Sequence, residues 1–395
     1  MLQDERPVVL HLGVYKPTAT TFEGVFMITG MMIGAGILAL PSAVAGLGVL
    51  VGAGLMLFVG LVTLILHLAL GEVAVRTAGP MQLPGFAGKY LGRWAEGLVS
   101  VTIILRSFGA LLAYLIGSGA VLSALFGGRE SSWTAIFWSL GSLLVWAGLA
   151  RVKLAEKIIG SVVILVVIGI SFYLFPSITL TNLDLFNFTN WLAPLGVILF
   201  AFSATPAIAE AHAVLPGSER RFRRALIIGT LLSTLVYILF AVAVVGVLGD
   251  TVTEVATVAL GNKFGAGMLL FANIFAILAM STAYMGVGTA LKETFIWDYK
   301  IKKLTAAFLV AVVPIGLFVL GLRSFILILE VVGGIFIATE NIIMALVFYK
   351  ARLQGDIKPK YFRLPHAIFF TGVVLITYLA VLGVSLYDIG VKLFY

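Results

Sequence analysis

Gly30-Met31-Met32-Ile33-Gly34-Ala35-Gly36-Ile37-Leu38-Ala39-Leu40-Pro41 interrupts the first long apolar run of the chain. Three glycines crowd seven positions, and each weakens a helix interior by about 1 kcal/mol relative to Ala. A later apolar run is broken in its middle by Phe200-Ala201-Phe202-Ser203-Ala204-Thr205-Pro206. There Pro206 removes a backbone hydrogen bond and crowds the preceding turn, while Ser203 and Thr205 offer hydroxyls to the groups set free. Taken singly, either stretch also reads as close helix packing at Gly or as a simple Pro kink. Where the two lie along the chain gives them more meaning.

Around these breaks the sequence is 61% hydrophobic and 11% charged. A soluble domain carries about 25% charged residues, so lipid has to cover most of this surface. Backbone polar groups must then be satisfied inside helices or a closed barrel. Continuous runs near 20 residues mean helices, because barrel strands are shorter and alternate. Apolar stretches bounded by charge, Gly or Pro give eleven spans, at 22–46, 48–75, 93–125, 132–149, 154–175, 191–215, 224–249, 264–291, 304–321, 324–349 and 365–388. Residues 1–21 read as a short polar cytoplasmic tail without the apolar core of a signal peptide. Residues 22–395 read as one membrane domain. The first two spans are divided at Gly46-Leu47-Gly48, where Pro41 and the glycines argue for a turn rather than one long helix. The chain has no cysteine, which excludes disulfides, thiolate metal sites and thiol catalysis.

The net charge of +8 is a topology signal. With the N-terminus inside, 21 of the 26 Lys and Arg fall in inner segments, four in outer segments, and Arg106 within a span. That distribution follows the positive-inside rule, with the C-terminus on the outer side. No basic domain outside the membrane exists to bind nucleic acid.

The first break opens spans one to five (22–175), and the second opens spans six to ten (191–349). An odd number of spans per half makes the halves run in opposite directions, leaving span eleven (365–388) as an addition. Paired interruptions at corresponding positions of inverted halves point to a transporter site near the midplane. Unwinding exposes N–H groups at one half-helix start and carbonyls at another's end, which favour anions and cations respectively. A zwitterionic amino acid needs both.

At these residues the sequence resembles a known family. Gly34-Ala35-Gly36-Ile37-Leu38-Ala39-Leu40-Pro41 looks like the first-span signature of the amino acid/auxin permease family, within the amino acid–polyamine–organocation superfamily. Gly71-Glu72-Val73-Ala74-Val75-Arg76 with Tyr90-Leu91-Gly92-Arg93-Trp94, Gly109 to Leu115, and Ser281 to Val287 agree in order. The resemblance implies the leucine-transporter fold and an amino acid substrate. It also implies that backbone N–H groups of Gly34, Ala35, Gly36 and Ile37 hold the carboxylate, and that carbonyls of Ile33, Phe200 and Phe202 meet the amine. Gly36→Val is accordingly expected to abolish binding and leave the protein folded. Ser203 stands beside these carbonyls, and Tyr114 faces the substrate or simply packs.

In sodium-coupled relatives, span-eight hydroxyls join span-one carbonyls around Na⁺. The corresponding set here is Gly30, Ile33, Leu278, Ser281 and Thr282, oxygen ligands suited to a hard cation. The bland reading of the two hydroxyls is back-bonding to the preceding turn. Some proton-coupled relatives place a Lys in span five, and the stretch 160–169 has none, which favours sodium over protons. Arg106 is costly within a span unless paired, with Glu340, Glu210 and Glu72 as possible partners. Glu210, His212 and His67 could carry a proton. Glu330 fits an outer gate or a wet vestibule. Asn187-Phe188-Thr189 fits a glycosylation acceptor, a triplet common by chance.

The expected function is secondary active transport of neutral α-amino acids by alternating access, coupled to a cation. Phe108, Phe202 and the Ala- and Gly-rich helices imply an apolar lining. Proton symport or uncoupled exchange is the alternative within this class. A channel needs a continuous polar path, which the sparse polar groups do not supply. A membrane enzyme needs paired acids or a His-Glu-x-x-His context, and neither is present. No cofactor beyond Na⁺ and no protein partner is implied.

Overall fold

The computed structural model describes residues 20–79, 81–147, 149–183, 194–215 and 218–394. The N-terminal tail and the Asn187-Phe188-Thr189 triplet lie almost wholly or wholly outside these residues, as does the start of the sixth span. Among the described residues there are helices and no strands. They run α1 (Thr21–Met32), a 3-10 turn (Ala35–Leu38), α2 (Leu40–Ala45), α3 (Val49–Arg76), α4 (Leu83–Leu91), α5 (Arg93–Phe126), α6 (Glu130–Ala147) and α7 (Leu149–Leu174). Then come α8 (Leu195–Phe202), α9 (Thr205–Val214), α10 (Glu219–Leu248), α11 (Ala256–Phe264), α12 (Ala266–Trp297) and α13 (Lys303–Val319). The chain closes with α14 (Phe325–Val331), a π-helical segment (Val332–Ile337), α15 (Ala338–Gln354) and α16 (Ala367–Phe394).

Six of these are long and apolar enough to cross a membrane: α3, α5, α10, α12, the α14–α15 unit and α16. Large apolar side chains such as Leu165, Leu235, Phe308 and Ile376 stand exposed on the perimeter, where a soluble protein would carry charge. The molecule is an integral, multi-pass membrane protein.

Local chemistry explains where the helices start. Thr20 and Glu23 form a reciprocal capping box at α1, with bonds of 3.3 and 2.8 Å. Gly48 takes φ 82° at the entry to α3, so the first two spans are separate helices, as the glycines suggest. Three features depart from the span reading. Short α4 and α11 lie between the long helices, α10 starts at Glu219 and so includes the arginines at 220–224, and the tenth span carries a π segment within a continuous helix.

At one end of the bundle, a buried carboxylate ties three segments together. Glu72 is fully buried and accepts from Arg76 Nε at 2.8 Å, and from the Leu364 N–H at 2.6 Å. Arg352 Nε lies 3.0 Å from the same carboxylate. Nearby, the side-chain bond from Lys89 and the Ala78 N–H hold the Asp356 carboxyl below its usual range. Glu72 is thus committed to this staple and is not the partner of Arg106.

Candidate substrate and ion site

Helix α1 ends at Met32, between Gly30 and Gly34. Ile33 N–H donates to Thr29 O at 2.7 Å, Gly34 N–H turns back to Met32 O at 2.8 Å, and Gly34 is extended (φ −109°, ψ −153°). The 3-10 turn and α2 then resume the span, with Pro41 in the first turn of α2. The sixth span behaves alike: α8 ends at Phe202, Ser203 is extended (φ −75°, ψ 111°), and α9 restarts at Thr205. Pro206 therefore sits in the first turn of a new helix, where its missing N–H costs nothing. It marks a restart, not a kink in a continuous helix.

The two breaks face each other. A Cβ on Gly36 would lie 2.9 Å from Ala201 Cα and 3.2 Å from the Phe200 ring, so only glycine permits this approach. Between the breaks stands Tyr237 of α10, fully buried. Its hydroxyl bonds to Met32 O and, at 2.7 Å, to Ala201 O, two carbonyls beside the breaks of the two spans. One proton serves two acceptors. Tyr237→Phe removes that donor; Met32 O keeps the Gly34 N–H, so the loss falls on the buried Ala201 O, at about 1–3 kcal/mol for a carbonyl left unpaired. The expected result is a lowered unfolding temperature in detergent together with at least about tenfold weaker uptake, read by thermal melts and proteoliposome flux. The sequence reading missed Tyr237, because a tyrosine in an apolar helix carries no local mark of this role.

Within the cradle the four residues separate. The Gly34 N–H is taken by Met32 O, and the Ile37 N–H points to Gly34 O at 3.4 Å. Among the described residues, the N–H groups of Ala35 and Gly36 have no backbone acceptor, as expected at the start of a helical turn. Gly34 is half-buried, and a Cβ there would meet open space. The Gly36 requirement is therefore helix packing, and the open position is Gly34. Ile33 is buried. The Phe200 carbonyl accepts from Ser203 N–H at 3.2 Å. Tyr114 lies edge-on to Phe200 with ring centroids 6.4 Å apart. The Phe202 ring is buried against Tyr237 at 4.9 Å, and Phe108 packs on Phe295 at 6.2 Å, so these two rings serve packing.

Behind the second break lies a buried ion pair. Arg106 Nε of α5 stands 3.4 Å from Glu340 Oε2 of α15, with Glu340 fully buried. Arg106 Nη1 donates to Ser203 Oγ at 3.2 Å, and Thr205 Oγ1 donates to Glu340 Oε1 at 2.8 Å. The pair thus grips both sides of the break. Glu340 follows the π segment, which is pressed onto α8 where Gly333 meets Gly196. A π segment inside an α-helix commonly marks a functional site.

The proposed ion ligands are less gathered. Thr282 Oγ1 donates to Leu278 O at 3.1 Å and Ala279 O at 3.0 Å, the back-bonding arrangement. Ser281 is half-buried, Gly30 faces open space, and the Leu278 side chain is 41% exposed. His67 Nδ1 pairs with Thr230 Oγ1 at 2.8 Å, and His212 stacks near Phe222 at 5.2 Å. Glu330 is half-buried in α14. The Glu210 side chain lies outside the described residues. Among the described residues no group of three His, Asp or Glu could hold a metal.

The model of the tryptophan/tyrosine permease family matches residues 17–385. The chain belongs to that family. This corrects the resemblance drawn from the first span: the chain belongs to an amino acid permease family, but not to the amino acid/auxin family. The glycine cluster meets a backbone need common to broken helices, so it does not separate one permease family from another. This permease is 32% identical over 250 residues to "Tyrosine-specific transport system 2" of Haemophilus influenzae, a match covering 58% of this chain and 59% of that protein. It is 24% identical over 286 residues to "Glutamine transporter 2" of Aliivibrio fischeri, covering 68% and 73% respectively. Its fold is similar to that in the crystal structure of MhsT in complex with L-phenylalanine. The TM-score is 0.64 at 13% identity, over 93% of this chain and 98% of that one. The architecture is leucine-transporter-like, and the relatives point to transport rather than enzymatic chemistry.

Proposed function

We propose that this permease is a secondary active transporter of neutral α-amino acids, with aromatic side chains preferred, working by alternating access. The observation that carries this is the pair of facing breaks bridged by Tyr237. Free N–H groups at Ala35 and Gly36 suit a carboxylate, the carbonyls at Ile33 and Phe202 suit an amine, and the Tyr114–Phe200 edge suits an aromatic ring. The tyrosine transport named for one relative supports the aromatic preference. Eleven spans, five plus five inverted with span eleven added, put the N-terminus in the cytoplasm and the C-terminus outside. On this reading 22–175 and 191–349 are the two halves of a single domain.

Coupling is to a cation. The first reading is Na⁺, held by carbonyls of Gly30, Ile33 and Leu278 with the Ser281 and Thr282 hydroxyls. Back-bonding of Thr282 leaves its oxygen lone pairs free to ligate. The second reading is H⁺ on Glu340, supported by its buried Oε2, which Arg106 Nε faces at 3.4 Å as an ion pair without a hydrogen bond. Uptake of a labelled amino acid panel into proteoliposomes, with Na⁺ and pH gradients imposed separately, tests both. Aromatic uptake that stops when choline replaces Na⁺ supports the first reading. Uptake that ignores Na⁺ and follows a pH gradient replaces it with the second. No uptake or exchange of any amino acid refutes the function.

A further inference from the structure

The first two turns of α10 carry Arg220, Arg223 and Arg224, which with Ile227 and Tyr361 line a cavity of about 350 Å³. It lies in a different part of the fold from the facing breaks. The Arg220 guanidinium lies 4.0 Å above the Tyr361 ring, and Lys360 approaches the same ring at 5.4 Å. Stacking of this kind orients a guanidinium while leaving its N–H edge open. The nearby acid, Glu219, does not answer these charges. Its carboxylate takes the N–H groups of Lys360, Tyr361 and Phe362 at 3.1, 2.5 and 2.8 Å, which fixes the loop that brings Tyr361 over the arginines. Among the described residues no carboxylate pairs with these guanidinium groups, so the cavity presents a preformed set of donors.

What lies next to it decides the ligand. Along α10 from Arg224, at steps of three and four residues, come Ile228, Leu231 and Leu235, exposed by 48%, 41% and 64%. Such spacing keeps them on one helix face. A cationic pocket therefore runs directly into an apolar strip on a helix that spans the membrane. A cavity of this size holds about ten waters' worth of liquid, enough for a phosphate and its glycerol. Arginine forks bind phosphate oxygens in pairs, and basic pockets at helix ends hold anionic headgroups. We propose that Arg220, Arg223, Arg224 and Tyr361 bind the phosphate headgroup of an anionic phospholipid, whose acyl chain lies along Ile228, Leu231 and Leu235.

The test uses the full chain in phosphatidylcholine nanodiscs doped with phosphatidylglycerol, and counts lipid retained after extraction by mass spectrometry. Wild type should retain phosphatidylglycerol over phosphatidylcholine. Arg220→Gln with Arg223→Gln and Arg224→Gln should lose that preference by about tenfold. Lys300→Gln with Lys302→Gln and Lys303→Gln removes the same charge from another basic segment and should keep it. Replacing the three arginines by Lys preserves charge and should weaken retention by about threefold, which gives a reading even if the Gln variant does not fold. The proposal is overturned if wild type shows no preference, if the lysine control loses as much, or if the Arg→Lys variant matches wild type. Inorganic phosphate displacing the lipid at equal headgroup concentration would also overturn it, because the acyl strip would then contribute nothing.

Discussion

Replacing Glu340 by Ala is expected to cost about 3–5 kcal/mol of stability, the usual consequence of leaving one partner of a buried ion pair alone. Arg106 would keep its charge in a nearly closed environment, and Thr205 would lose the acceptor it reaches at 2.8 Å. The unfolding midpoint in detergent should fall sharply. The companion experiment replaces Arg106 and Glu340 together by Met. Removing both charges at once leaves no uncompensated ion, and such exchanges are often neutral or stabilising. The double variant should therefore recover most of the lost stability, and a double-mutant cycle on the melting data would measure the coupling. A double variant as unstable as the single one would show that the pair is not the unit described here. The recovered protein also separates the two coupling readings. If Glu340 carries the coupled proton, the double variant should still exchange substrate across the membrane but no longer concentrate it when a pH gradient is imposed. If Na⁺ is the coupling ion, concentrative uptake should persist.

The parts of this site that could be read from the chain are those whose cause is local. Glycine and proline act on the backbone where they stand, so the breaks at 30–41 and 200–206 were visible, as was the separation of the first two spans. A lone intramembrane arginine announces its own need for a partner. Which partner it takes is a matter of packing: Glu72, Glu210 and Glu340 were equal candidates until the fold spent Glu72 on Arg76, Arg352 and the Leu364 N–H. Tyr237 was invisible for the same reason, since its two acceptors lie 205 and 36 residues away in sequence. The π segment left only Gly333-Gly334 as a trace, and that pair reads equally as close packing until Gly196 is placed against it. Short α4 and α11 escaped because counting apolar runs finds only lengths that cross a bilayer. The first-span motif serves the backbone alone, so it does not tell one permease family from another.

The same distinction sets the largest expected effect on binding, at Gly34 against Gly36. From the sequence, both glycines read as places where a ligand nears the main chain. A side chain at Gly36 would instead run into Ala201 Cα at 2.9 Å, a backbone atom that cannot swing aside. Gly36→Val should therefore separate the two breaks and lose folded protein, not merely affinity. This reverses the expectation that the variant stays folded. At Gly34 a Cβ meets nothing within 4 Å, and φ of −109° suits any residue. Gly34→Leu should fold with a melting temperature near wild type while its side chain occupies the space beside the free Ala35 and Gly36 N–H groups. Because that side chain competes with the ligand for the open space, affinity should drop by about tenfold to a hundredfold, about 1.4–2.8 kcal/mol. Gly34→Ala, adding one methyl, should show a smaller loss in the same direction. Calorimetric titration of the purified variants with an aromatic amino acid reads the effect, and size-exclusion profiles confirm folding. Affinity unchanged in a well-folded Gly34→Leu would mean that the open space at this break is not where the amino acid sits. The bridging role of Tyr237 would then have to be explained by stability alone.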